Sequence, residues 1–188
     1  MIIALMATGR DDCPESIKVL ANKIAKRLVD SGHDIRVQTN AVGVGRSFLQ
    51  GILRSTNPQP LVVQYSPYEG YGWAITNLPV LVTREQDTEG LKCLVKDFWH
   101  RLGESSYLSA GSTKFYLRNL NMLVGGNLDR IEFAELVIYY SEYDHVGRGL
   151  NNGGVLLAVK TARGLGIPAI NLANPKCLEL LTEILGSR

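Results

Sequence analysis

Short apolar runs alternate along this chain with segments whose hydrophobic residues recur every three or four positions. The run at residues 2–7 predicts a buried strand. Apolar positions from Ile17 to Leu28 then predict a helix that begins after Pro14 and ends at Gly32. The amino-terminal unit is therefore strand, loop, helix.

The same pattern follows directly. Residues 34–39 alternate apolar and polar side chains, as a strand does. The glycine turn at residues 40–45 leads into a helical face that includes Phe48 and Ile52. A third strand is predicted at residues 61–65.

The alternation breaks down at residues 68–112. Tyr68, Tyr71 and Trp73 stand among glycines there, and residues 78–83 predict a further strand. Together with Tyr65 of the third predicted strand, these rings could stack on a nucleotide base, although packing in a core or an interface is the commoner role of such residues. We interpret the segment as an insertion or lid over the edge of the sheet.

The remaining third returns to alternating elements. Helices are predicted at residues 113–123, 156–165 and 175–185, and strands at residues 136–140 and 168–172. Repeated strand–helix alternation is typical of a mainly parallel sheet with helices on both faces, joined by right-handed crossovers. We expect an α/β fold of three layers and a single domain spanning residues 1–188.

Composition narrows the function classes. The 188 residues are 45% hydrophobic and 20% charged, and the apolar runs are too short to cross a bilayer. Without a secretory signal at the amino terminus, we expect a cytoplasmic protein with no membrane partner.

A net charge of +2 argues against a broad surface for duplex nucleic acid, but a local basic groove is still possible. The three cysteines are widely spaced and are not grouped with histidines, so we expect reduced thiols, no metal site and no cofactor.

The turn at residues 151–154 carries the clearest candidate chemistry. Asn151, Asn152, Gly153 and Gly154 stand between a predicted strand and a predicted helix. This arrangement leaves the amides of a helix N-terminus open at the edge of the sheet, where they favour phosphate.

A polar loop precedes that turn. Asp144, His145 and Arg148 follow the strand at residues 136–140, so they could reach a ligand at the same edge. An ordinary solvated loop accounts for these residues equally well.

Several motifs together resemble the SLOG superfamily of Rossmann-like proteins, which includes the DNA-processing protein A family and the lysine-decarboxylase-like phosphoribohydrolases. The small single-domain members found in bacteriophages are the most similar, and a phage-encoded chain would act in the host-cell cytoplasm. The motifs that carry the resemblance are Thr8-Gly9-Arg10, Pro14-Glu15-Ser16-Ile17, Ala41-x-Gly43 with Phe48 and Gly51, Arg118-Asn119, Gly153-Gly154 and Ile167-Pro168-x-x-Asn171-Leu172.

The resemblance implies a cleft for a phosphorylated ligand. In the SLOG superfamily, the turn after the first strand brings the backbone and an arginine close to phosphate oxygens, and the Arg-Asn pair faces the same cleft. The residues implied are Thr8, Gly9, Arg10, Ala41, Gly43, Gly45, Arg46, Arg118, Asn119, Asn151, Asn152, Gly153 and Gly154.

Departures from the family pattern argue against catalysis. Gly45 stands where an acidic residue is usual, and Val155 replaces a threonine after the phosphate turn. The helix after that turn also lacks the glutamate that the phosphoribohydrolases need, so N-glycosidic hydrolysis would require an acid from elsewhere, such as Glu69 or Asp144.

We therefore expect binding of a nucleotide or nucleotide-derived molecule without turnover, and self-association of the chain. The alternatives are single-stranded DNA binding through successive arginine–phosphate contacts, an interaction protein that has lost its ligand, and a nucleotide N-glycosidase.

Overall fold

Six parallel strands form one sheet at the centre of the computed structural model, which describes residues 1–8, 12–39, 42–83, 90–91, 110–142 and 153–186. The strands are β1 (Ile2–Ala7), β2 (Asp34–Gln38), β3 (Val62–Ser66), β4 (Val80–Val82), β5 (Leu136–Tyr140) and β6 (Ala169–Asn171). Their order across the sheet is β4-β3-β2-β1-β5-β6. All pairings are parallel, as the strand–helix alternation predicts.

Helices cover both faces of this sheet. The described helices are α1 (Glu15–Asp30), α2 (Gly43–Leu53), α3 (Ala110–Val124), α4 (Gly153–Gly164) and α5 (Cys177–Gly186). Helices α1, α2 and α5 share a core with one face, whereas α3 and α4 share a second core with the other. The expected three-layer α/β fold is confirmed. Among the described residues, no helix is both long and apolar enough to span a bilayer.

The segment interpreted as an insertion or lid supplies part of the sheet. Its strand at residues 80–82 pairs with β3 and forms one edge. Gly90 and Leu91 are helical, and Leu91 is fully buried beside α3 and α4. Residues 84–89 and 92–109 lie outside the described part of the chain.

Both the apolar and the polar residues of β2 are buried, because helices lie on both sides of the strand. Ile35 and Val37 enter the core beside α1 and α2, and Arg36 and Gln38 are almost fully buried on the α3 side. The guanidinium of Arg36 donates to the backbone oxygens of Met122 at 3.2 Å and Glu132 at 2.7 Å. A further bond joins Arg36 Nη2 to the Glu132 carboxylate at 3.1 Å. This buried arginine is thus fully engaged by the end of α3 and the segment after it.

The strand order decides where a ligand can enter. From β1 the chain proceeds outward through β2, β3 and β4, and β5 and β6 then occupy the other side of β1. The connections leaving β1 and β5 therefore diverge, which opens a crevice at their carboxyl ends. All the loops predicted to hold phosphate follow strands at this edge.

We expect Gly51→Ala to destabilise the protein by about 2 kcal/mol, as overpacked sites do. An added Cβ would lie 2.2 Å from the backbone oxygen of Asn22 and 3.0 Å from the Ala25 Cβ, so α1 and α2 would have to separate. Urea unfolding measures the change, with the exposed neighbour Gln50→Ala as the control. Equal stability of the two variants would show that the helices are not closely packed at Gly51.

Candidate functional site

Polar side chains are buried where the central strands end. Gln38 and Thr39 close β2, Ser66 closes β3, and Ser141 follows β5; each is 3% exposed or less. Burial of polar groups is costly unless they are hydrogen-bonded, so a row of them at one edge indicates a network or a ligand site.

A hydrogen-bond network joins β1, β2 and α3 at this edge. The Ala7 amide donates to Gln38 Oε1 at 3.0 Å, and Gln38 Nε2 donates to Asn119 Oδ1 at 2.8 Å. Asn119 Oδ1 also accepts from Arg118 Nε at 3.1 Å. The Arg-Asn pair of α3 is therefore anchored beside Thr8, the residue that follows Ala7.

The network fixes the orientation of the Asn119 amide. Two donors converge on Oδ1, and a flipped amide would place an NH₂ group against both of them. The nitrogen Nδ2 consequently points away from Gln38, and within the described residues it has no hydrogen-bond partner although it is buried. An unpaired buried amide costs about 1–3 kcal/mol, which an acceptor supplied by a ligand would recover.

Arg118 is the second incompletely paired group. Its side chain is 4% exposed, and burial lowers its pKa to about 10, so it still carries its charge at neutral pH. Besides the Nε bond to Asn119, the guanidinium has the Phe115 ring 5.4 Å from Cζ and interacts electrostatically with Tyr71. No carboxylate of the described residues forms an ion pair with it. Its two terminal nitrogens are left as donors for an anion.

The loop after β3 lies across this part of the edge. The Tyr71 ring makes edge contacts with Phe115 of α3 and with Tyr68, at 5.1 Å between centroids in both pairs. Trp73, further along the loop, lies under the Arg46 guanidinium at 5.7 Å. The loop thus connects the start of α2 with α3 and places aromatic rings near Arg118.

The start of α2 is suited to an anion. Gly43 has a φ of +64°, which favours glycine, and Val42 before it offers no side-chain cap. The first turn contains no acidic residue, and Arg46 lies directly after it. Uncapped amides, a helix dipole and a nearby cation all favour a negative group here.

The opposite side of the crevice is acidic. Burial and the carboxylate of Glu142 raise the pKa of Tyr140 to about 12, and the Tyr140 hydroxyl lies 3.5 Å from Glu142 Oε1. Asp12 adds to this shift, and Glu15 occupies the first turn of α1. Like charges repel, so the Tyr140 side of the crevice is less favourable to a phosphate than the start of α2 and Arg118. Within the described residues, no cluster of acidic, histidine or cysteine side chains could hold a metal ion.

The structure brings some of the sequence-predicted residues to the carboxyl edge and leaves others undescribed. Thr8 follows β1, Gly43, Gly45 and Arg46 form the start of α2, and Arg118 and Asn119 lie on α3. Gly153 and Gly154 begin α4. The predicted residues outside the described part are Gly9, Arg10, Ala41, Asp144, His145, Arg148, Asn151 and Asn152.

Sequence reasoning missed three contributors. Gln38 is at a polar position of an alternating strand, and such positions are also typical of solvent-exposed residues. From the sequence, Phe115 could not be distinguished from a residue of the hydrophobic core. Glu142 lies two residues after the end of β5, and its position at this end of the strand was the signal in the sequence. Conversely, Tyr65, the last residue of the predicted third strand, is 2% exposed and belongs to the core beside α3, so it offers no ring surface to a ligand.

Comparison with solved structures identifies proteins of the same fold. The molybdenum cofactor carrier protein of Chlamydomonas reinhardtii matches with a TM-score of 0.52 and 16% identity, over 99% of this chain and 86% of that one. The molybdenum cofactor binding protein of Rippkaea orientalis matches at 0.51 and 16%, over 97% and 83%. DNA processing protein A of Helicobacter pylori, solved for its single-stranded DNA binding mode, matches at 0.53 and 15%, over 91% of this chain and 64% of that one.

The fold resemblance to the DNA-processing protein A family is thus confirmed. No protein-family model and no curated protein sequence matches the chain.

We expect Arg118→Met to raise the free energy of unfolding at neutral pH by about 1–3 kcal/mol, because it removes a buried charge that no carboxylate of the described residues balances. Arg36→Met is the matched control, since Arg36 is equally buried but is paired with carbonyls and Glu132. That variant should lose about 1–3 kcal/mol. Urea unfolding measures both. A loss of stability in Arg118→Met as large as in Arg36→Met would identify Arg118 as a structural residue.

Proposed function

We propose that the chain binds a nucleotide or nucleotide-derived phosphorylated molecule at the carboxyl edge of the sheet, without converting it. The observation that carries this proposal is the pair of buried, incompletely satisfied donors on α3, Arg118 and Asn119 Nδ2. A site tuned only for stability would have paired or removed them.

A phosphate satisfies both donors at once. Its oxygens accept two parallel bonds from a guanidinium, a geometry that Arg provides and Lys does not. Thr8 lies beside the Arg-Asn pair through the Gln38 network, and the α2 N-terminus with Arg46 supplies further positive potential along the same edge. Carboxylates beside Tyr140 bias the anion towards these groups.

The aromatic loop supports a ligand with a planar ring. Tyr68 is exposed, and Tyr71 and Trp73 are half-buried close to the two arginines that flank the edge. A base or a comparable heterocycle would stack there while its phosphate reaches Arg118. The structural neighbours include proteins named for binding a molybdenum cofactor or single-stranded DNA, which agrees with a ligand cleft on this fold.

Binding without turnover is supported by the distribution of carboxylates. The first turn of α4 contains no acidic residue, and Glu69 lies in the exposed part of the loop after β3. Glu142 is the described carboxylate closest in sequence to the β5 end of the crevice, and it lies beside the Tyr140 hydroxyl. Hydrolysis of added nucleotides that disappears in Glu142→Gln would show that the chain is an N-glycosidase instead.

The first experiment is mass spectrometry of small molecules released when the purified protein is denatured. We expect a phosphorylated nucleotide or derivative in stoichiometric amount and unchanged by the protein. Absence of any released ligand, together with no binding of added nucleotides in calorimetry, would contradict the proposal.

We expect Asn119→Asp to weaken binding of that ligand by at least tenfold. The variant keeps Oδ1 as the acceptor for Gln38 and Arg118 but replaces the Nδ2 donor with a charged oxygen that repels phosphate. Calorimetry measures the affinity, and Asn127→Asp is the control, because Asn127 lies beyond the far end of α3 and likewise uses only Oδ1. Equal affinity of the two variants would place the anion elsewhere.

A further inference from the structure

Asn121 is a buried amide of α3 outside the set of residues assigned to phosphate. Its side chain is 4% exposed. Among the described residues, Nδ2 donates to the Thr83 hydroxyl at 3.3 Å, whereas Oδ1 is buried without a hydrogen-bond partner. A buried acceptor that stays unpaired is destabilising, so its presence in a folded protein calls for an explanation.

Thr83 determines which atom of the Asn121 amide is unpaired. The single proton of the Thr83 hydroxyl is directed to the backbone oxygen of Ser66 at 3.3 Å, so the hydroxyl oxygen accepts from Asn121 Nδ2. A flipped amide would place Oδ1 against an oxygen that has no further proton to donate. The unpaired atom of Asn121 is therefore an acceptor, whereas the unpaired atom of Asn119 is a donor.

Asn121 and Arg118 lie on the same side of α3. Three residues turn an α-helix through about 300°, so the two side chains are about 60° apart around the axis and about 4.5 Å apart along it. The Arg118 guanidinium extends away from Asn121, because its Cζ lies 5.4 Å from the ring of Phe115, three residues earlier in the helix. An anion at that guanidinium and a donor at Asn121 would thus be about 5–9 Å apart along α3.

The loop after β3 links Asn121 to the same part of the edge. Ser66 ends β3, and its backbone oxygen accepts from both the amide and the hydroxyl of Thr83. Tyr71, later in the loop, interacts electrostatically with Arg118. One loop therefore approaches both Arg118 and the hydroxyl that holds Asn121.

We propose that Asn121 selects the ligand by accepting a hydrogen bond from one of its neutral donors, a sugar hydroxyl or a base N–H. The inference rests on the proposed function and specifies the ligand, because a phosphate dianion satisfies the donors of Arg118 and Asn119 but offers no proton to an acceptor. A bare polyanion would leave Oδ1 unpaired. In a 5′-nucleotide the ribose hydroxyls and then the N–H groups of the base follow the phosphate at increasing distance, so such a molecule carries donors in the required range.

The test combines a change in the protein with changes in the ligand, followed by calorimetry. Asn121→Leu removes the acceptor and keeps the approximate size of the side chain. The probes are inorganic phosphate and whichever of the four common ribonucleoside 5′-monophosphates binds most tightly. We expect Asn121→Leu to weaken nucleotide binding at least tenfold and phosphate binding less than twofold, as loss of one hydrogen bond to a buried group predicts. Asn127→Leu, which removes an exposed amide beyond the far end of α3, is the control and should leave both affinities unchanged.

Three analogues of that nucleotide locate the donor: one lacks the 2′-hydroxyl, one the 3′-hydroxyl and one the N–H donor of the base. One of them should bind the parent protein at least tenfold less tightly than the complete nucleotide and should be unaffected by Asn121→Leu. This analogue tells whether the sugar or the base supplies the donor. The comparison on the parent protein needs no variant, so it decides the matter even if Asn121→Leu folds poorly. Equal affinity of all three analogues for the parent protein, or an equal loss for all three in Asn121→Leu, overturns the inference.

The nucleoside without its phosphate separates this inference from the proposed function. Nucleoside binding that Asn121→Leu weakens and Arg118→Met does not supports the inference by itself. Binding of inorganic phosphate that Arg118→Met weakens and Asn121→Leu does not supports the phosphate site by itself. Nucleoside binding that is equal in the parent protein and in Asn121→Leu contradicts the inference and leaves the phosphate site intact.

Discussion

A buried positive charge that has no negative partner among the described residues is the constraint on which the proposed site depends. Arg118 is held in place by Asn119, Asn119 by Gln38, and Gln38 by the amide of Ala7, so the guanidinium is positioned by the sheet itself. Desolvation lowers its pKa yet leaves it charged at neutral pH. Under the proposed function, an entering anion would recover the energetic cost of such a charge, and the protein would be more stable with the anion bound than without it.

The two buried arginines show how similar residues acquire different roles. Arg36 meets carbonyl oxygens at the end of α3 and the Glu132 carboxylate, and it fastens that helix to the sheet. Arg118 enters the same layer near the carboxyl edge, where its neighbours are aromatic rings and an amide. The same helix buries both residues. They differ only in the hydrogen-bond acceptors around them, which make Arg36 a structural contact and Arg118 a candidate binding contact.

Charge is distributed unevenly around the crevice, and that distribution would orient the proposed ligand. Carboxylates gather near Tyr140 and at the start of α1, whereas Arg46 lies at the start of α2 and Arg118 on α3. Because the strand order opens the crevice between β1 and β5, an anion entering there meets acid on one side and base on the other. The loop after β3, with Tyr71 and Trp73, lies on the same side of the crevice as Arg46 and Arg118.

Hydrophobic periodicity by itself determined the strands, the helices and the parallel three-layer fold, because burial of apolar faces at fixed spacing leaves few alternatives. Glycine turns indicated which edge would hold a ligand. The pairing of Gln38 with Asn119, the lack of a carboxylate partner for Arg118 among the described residues and the bond from Arg54 to Asn22 were decided only by the tertiary structure. These contacts join residues far apart in the chain, and a polar residue carries no mark in the sequence that tells whether its partner is water, another side chain or a ligand.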